Sequence, residues 1–209
     1  MYRAPWTQVE DAGAITDFCI RAGSGLLISN GPDGQMDASL LPILLRGSAD
    51  GAMIIAAHFA RANEHWQRIA EDAPGLLVVT GPQAYVSPSW YASKAEHGRV
   101  VPTWNYSMVQ FRGTLQVHDY PEWLREVVSG LTDQHEAPRP QPWKVTDAPP
   151  KYIDGQLRAI VGVELLVDSV EAKAKWSQNR SDADRAGVLA GLQADGDESG
   201  ALRMASGNL

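Results

Sequence analysis

Short apolar runs broken by clusters of turn residues constrain this chain more than any other feature of it. Leu26–Ser29 and Met36–Leu45 flank Asn30-Gly31-Pro32-Asp33-Gly34, a joint dense enough in turn formers to predict a hairpin. A turn over Arg46–Gly51 leads to a third apolar run, Ala52–Ala57. Three consecutive short strands with tight turns favour an antiparallel meander. Further strands are expected at Leu76–Val79, at Ala84–Val86 after a Gly81-Pro82 turn, at Ser107–Val117 and at Ala159–Val170. Helical periodicity marks Asp11–Ala22, Asn63–Ala73, Asp119–His135 and Lys151–Arg158. Ser181-Asp182-Ala183-Asp184 has the pattern of a capping box and opens a helix to about Ala194. Five prolines between 137 and 150 predict an extended connection. The pattern is mainly β with peripheral helices, and closure into a small barrel would remove exposed sheet edges.

A length of 209 residues fits one domain, here 1–195, followed by a small, polar, Gly-rich segment over 196–209 that reads as a frayed tail. The net charge of −7 opposes non-specific binding to a phosphate backbone. A single cysteine, Cys19, cannot form an internal disulfide, as expected of a reducing cytoplasm. It sits in an apolar helical stretch and reads as buried filler. No apolar run suits a signal peptide or a membrane span, so a soluble cytoplasmic protein is expected.

Two aromatic clusters frame a polar loop: Ser87-Pro88-Ser89-Trp90-Tyr91 and Pro102-Thr103-Trp104-Asn105-Tyr106. Hydroxyls and amides beside flat rings suit a planar, polar-edged ligand. The same residues also suit a core or a subunit contact, and chemistry alone leaves both readings open. Ala57-His58-Phe59-Ala60-Arg61-Ala62-Asn63 runs from a strand end into a helix start, where free N–H groups, Arg61 and His58 would receive an anion. The alternative there is an N-cap and a surface arginine. Lys173-Ala174-Lys175-Trp176-Ser177-Gln178-Asn179-Arg180 repeats the logic before Ser181, with a solvated charged face as its alternative. The five histidines show no metal-ligand spacing. Neither a Walker loop, a dinucleotide fingerprint nor a Gly-x-Ser-x-Gly elbow occurs. His135-Glu136 lies at a helix end beside the proline-rich connection and makes a poor acid–base pair.

Four motifs in order are similar to the PaiB family of FMN-binding negative transcriptional regulators: 81–91, 101–106, Ile160-Val161-Gly162-Val163-Glu164 and Lys175–Arg180. The resemblance spans Met1 to about Leu192. It implies a split β-barrel of the flavin-reductase and pyridoxamine-phosphate-oxidase type, a homodimer with flavin sites at the subunit interface, and FMN as cofactor. It departs at Ala38-Ser39-Leu40-Leu41-Pro42, where the family usually reads Ala-Thr-His-Leu-Pro and this chain has Leu40 for the histidine. Ser39, Leu40, Leu41, Ser89, Trp90, Thr103, Trp104 and Asn105 are expected around the flavin ring. His58, Arg61 and Asn63, or Lys175, Ser177, Gln178, Asn179 and Arg180, are expected around the phosphate. In a two-fold dimer each cluster would come from a different subunit.

Three functions are compatible with these residues. One is a flavin-binding regulator, acting without a dedicated DNA-binding motif, since no helix-turn-helix with a basic face is legible. Another is an FMN-dependent oxidoreductase acting on a small molecule, in which the cofactor carries the chemistry. The third is a barrel that has lost flavin and acts through protein contacts, with Leu40 as its warrant.

Overall fold

The structure is a computed structural model describing residues 1–47 and 51–209, so the expected turn over Arg46–Gly51 falls mainly outside the described residues. Eight strands are described: β1 (Gln8–Val9), β2 (Ser24–Asn30), β3 (Met36–Pro42), β4 (Leu44–Gly47), β5 (Met53–Ala60), β6 (Pro74–Val86), β7 (Thr103–His118) and β8 (Ile160–Lys175). The helices are α1 (Ala12–Ala22), α2 (Ser93–His97), α3 (Pro121–Glu136), α4 (Pro150–Leu157), α5 (Asp182–Ala194) and α6 (Glu198–Ser206). The residues expected to form one domain are distributed over two compact units. One holds Met1–Phe18, Thr80–Val109 and Glu171–Leu209; the other holds Cys19–Val79 and Gln110–Val170.

The strands pair in the order β3-β2-β6-β7-β8-β5-β4, and β2 to β5 lie wholly in the second unit. The β2–β3 hairpin is present, with Leu27 opposite Ser39 and Leu26 opposite Leu40. The meander is not. The expected strand 36–45 breaks at Ile43, and its halves lie at opposite ends of the sheet order, β4 pairing with β5. Pro42 ends the first half because it has no N–H to offer a ladder. The Ile43 amide instead donates to Gly23 O at 3.1 Å, and its side chain is fully buried. Among the described residues β3 and β4 share no ladder, so the sheet is not closed. Leu27, Leu41, Ile43, Ile55, Leu77, Leu115, Val163 and Leu165 line one apolar interior. Against the sheet, α3 buries Trp123, Leu124, Val127 and Leu131 together with Ile153 and Leu157 of α4. Gly162 is required there: a Cβ would lie 2.1 Å from the Trp123 ring.

Three further boundaries differ from the sequence pattern. Gly81-Pro82 makes no turn and lies inside the continuous strand β6. Its β2 ladder ends at Val78, so the N–H missing at Pro82 removes no bond of that pairing. The helix expected over Asn63–Ala73 is a five-residue 3-10 turn, Glu64–Arg68, because Arg68 is drawn out to Asp37 (2.6 Å) and Asp33 (2.7 Å). Residues 198–206 are the helix α6 rather than a frayed end. Asp197 caps it through Gly200 N at 2.8 Å, and Met204 and Leu209 are buried within the first unit.

Candidate functional site

Ser39, Asn63 and one residue the sequence analysis passed over, His65, form a hydrogen-bonded group in the second unit. Strand alternation turns Leu41 into the core and Leu40 out to solvent at 70% exposure on the opposite face, and it places part-buried Ser39 on the face of Leu41. Asn63 Nδ2 donates to Ser39 Oγ at 3.1 Å, while its Oδ1 accepts from the His65 amide at 3.0 Å. His65 Nδ1 lies 2.9 Å from Ser39 Oγ and Nε2 lies 2.9 Å from Ser29 Oγ. The ring is 4% exposed and tilted against Phe59 at 5.1 Å. Burial, above all, holds the His65 pKa below its ordinary value; Asp37 opposes the shift and Arg68 adds to it. The sequence signal for His65 was its place in the first turn after an Asn cap, two residues on from Asn63.

Arg61 is already engaged. Its Nε donates to Arg158 O at 2.7 Å, Nη2 to Ile160 O at 2.9 Å, and Nη1 to Asp119 at 2.8 Å, with a second Nη2–Asp119 contact. The carboxylate holds the guanidinium pKa up and is itself held below the usual range. A five-residue 3-10 turn whose first donors meet Asn63 also lacks the field of an α-helix N-terminus. The anion site expected at this helix start is therefore not assembled as the sequence suggested. His58 lies elsewhere in the same unit, in a cleft of about 320 Å³ with Pro42, Leu131, His135, Glu136 and Trp143. Its Nδ1 is buried with no hydrogen-bond partner among the described residues, and burial lowers its pKa.

In the first unit the two aromatic clusters have different fates. Trp90 packs on α5: a Cβ at Gly191 would lie 2.2 Å from its ring, and one at Gly187 would lie 2.0 Å from its carbonyl oxygen. Ser89 Oγ accepts from Lys94 Nζ at 3.3 Å. Trp104, by contrast, is 48% exposed; its Nε1 donates to Gln83 at 3.0 Å and its ring is tilted 58° to Tyr85. Asn105 and Ser177 are buried and bond each other at 3.1 Å, Ser177 in the left-handed region at φ 59°. Gln178 bridges Trp176 N (2.8 Å) and Ala174 O (2.7 Å). Lys175 Nζ donates to Thr103 Oγ1 at 2.7 Å and Trp104 O at 2.8 Å; burial, then Lys173 and Arg180, lower its pKa. Arg180 lies 4.7 Å from the Tyr91 ring centroid. Asn179 is exposed. Asp182 and Asp184 occupy the first turn of α5, and their charge opposes an anion at that helix start.

Comparison with known proteins adds the family. The pattern of a family described as "Putative FMN-binding domain" matches residues 1–169. The "Protease synthase and sporulation protein PAI 2" of Bacillus subtilis is 30% identical, over 92% of this chain and 89% of its own. An uncharacterized protein of Aspergillus fumigatus is 31% identical, over 83% of this chain and 75% of its own. Among solved structures, the flavocytochrome Anf3 of Azotobacter vinelandii superposes with a TM-score of 0.57 at 15% identity, covering 89% of this chain and 78% of its own. The FAD and heme binding protein of Mycobacterium smegmatis gives 0.56 at 15%, covering 86% and 79%. At such identities these two speak to fold alone, and they agree with the open antiparallel sheet. The chain belongs to the PaiB family of FMN-binding split-barrel proteins, and its cofactor is FMN.

Proposed function

We propose that this chain is a flavin-binding regulator of PaiB type whose FMN is held by the Ser39–Asn63 group. The carrying observation is the part-buried Ser39 hydroxyl, fixed by two neighbours at 3.1 and 2.9 Å on the strand face it shares with Asp37 and Leu41. These residues fit the cofactor, because hydroxyl and amide donors suit its oxygens. Once bound, FMN supplies redox chemistry that the side chains do not need to provide. The exposed indole of Trp104 is proposed as a flavin contact offered to a second copy of the chain.

The protein is proposed to act as a homodimer. Leu26, Met36 and Leu40 are exposed on one face of the β2–β3 hairpin, an apolar surface that a second copy would cover. The acidic net charge argues for regulation through protein contacts or flavin state rather than through direct DNA binding. FMN fluorescence titration tests the flavin assignment. One FMN quenched per chain is expected; a colourless protein that leaves FMN fluorescence unchanged would end it.

A flavin-dependent oxidoreductase is the second reading, favoured by the 320 Å³ cleft lined by His58, whose buried Nδ1 is unpartnered among the described residues. The cleft has room for a small molecule beside a neutral imidazole. Loss of the flavin absorbance on adding NADH or NADPH supports this reading, and no bleaching with either counts against it.

A further inference from the structure

We infer that His65 is a positioning residue that turns the Ser39 hydroxyl outward as an obligate hydrogen-bond donor, so that this site selects its ligand by an acceptor oxygen. The inference rests on Ser39 facing the flavin, as proposed above.

Ser29 is buried, and among the described residues the hydrogen-bond partner of its Oγ is His65 Nε2 at 2.9 Å. A buried O–H left without an acceptor is costly, whereas an unused lone pair is cheaper. The Ser29 hydroxyl therefore donates to Nε2. A neutral imidazole has one proton, which must then sit on Nδ1 and be donated to Ser39 Oγ. Ser39 Oγ already accepts from Asn63 Nδ2. With both lone pairs occupied, its single O–H has no inward partner and points to whatever lies outside. Burial keeps the ring neutral, with Asp37 on β3 opposing and Arg68, itself paired with Asp33 and Asp37, reinforcing that state.

Two oxygens of a flavin nucleotide could accept this bond, a phosphate oxygen or a ring carbonyl, and both have the same hydrogen-bonding chemistry. Long-range 1H–15N correlation of the His65 imidazole in the intact wild-type protein, near neutral pH without ligand, tests the core of the inference. Nδ1 protonated and Nε2 bare is the expected result; a proton on Nε2 alone, or on both nitrogens, overturns it. FMN affinity gives the second readout. H65N retains a donor near the position of Nδ1 and is expected to bind FMN within about threefold of wild type. H65L frees a lone pair of Ser39 and is expected to lose about tenfold; wild-type affinity in H65L overturns the inference. Comparing riboflavin with inorganic phosphate in wild type and S39A tells which oxygen is read. The ligand whose binding weakens about tenfold in S39A carries it, and insensitivity of both overturns the inference. Wild-type protein that binds no FMN would defeat the flavin reading, while the tautomer measurement would still decide the proton count.

Discussion

The two tryptophan clusters of the first unit have nearly the same composition and opposite roles. Trp90 meets a helix from which two side chains have been removed, Gly187 and Gly191, so that its ring and backbone sit directly on α5. Trp104 meets no such surface and keeps half its area in solvent, steadied by Gln83 and beside Tyr85. A glycine pair with i, i+4 spacing on a helix thus distinguishes a packed aromatic from one left available for a ligand. The hydroxyls follow the rings. Ser93, just after Trp90, delivers both its amide and its Oγ to Asp184 of α5 at 2.9 Å.

The largest test of this contrast is W90A, which should cost about 3 kcal/mol, as emptying an aromatic packing site does. At roughly 2–4 °C per kcal/mol for a chain of this length, the melting temperature should fall by about 6–12 °C. A fall under about 2 °C would mean the helix contact is not what holds Trp90. G187A comes next, at about 1–3 kcal/mol, because a Cβ there meets backbone rather than a movable side chain. D184N sharpens the comparison at low pH. Ser93 holds the Asp184 carboxyl below the usual range, chiefly through its amide. Its stabilisation is therefore complete above the unfolded value of about 3.9 and is lost as pH falls through the lower folded value. In acid denaturation D184N should show a shallower loss of stability below about pH 4 than wild type. W104A should change stability least, within about 0.5 kcal/mol. It should weaken FMN binding by about 3- to 10-fold, the worth of one aromatic stacking contact; unchanged affinity would remove Trp104 from the site.

The sequence made some of this legible and hid the rest for definable reasons. Helix α1, helix α3 and the Ser181 cap follow local rules and stand within a residue or two of their patterns, as does the turn end of hairpin β2–β3. The breaks at Ile43 and the continuity through Gly81-Pro82 depend on which strand lies alongside, which no local window reports. Among site residues, Ser39 and Asn63, expected at the ring and at the phosphate respectively, lie within one hydrogen bond of each other. His65 escaped notice because its importance lies in contacts to Ser29 and Ser39, 36 and 26 residues away. Arg61 misled because a guanidinium before a predicted helix looks the same whether it faces a phosphate or Asp119, 58 residues distant. Asn105, Ser177 and Gln178 were rightly picked out as unusual donors, yet they bond to neighbouring protein groups.

The separation of β3 from β4 bears on how the chain is made. A ribosome releases both before residue 50, but β5, to which β4 is zipped, finds its other neighbour only when residues 160–166 emerge. Until then β2 can pair with β6, but β5 has an apolar edge and no second partner. Synthesis of this protein should therefore depend on chaperone occupancy over its middle hundred residues, and truncation ahead of β8 should leave an aggregating product rather than a smaller folded one.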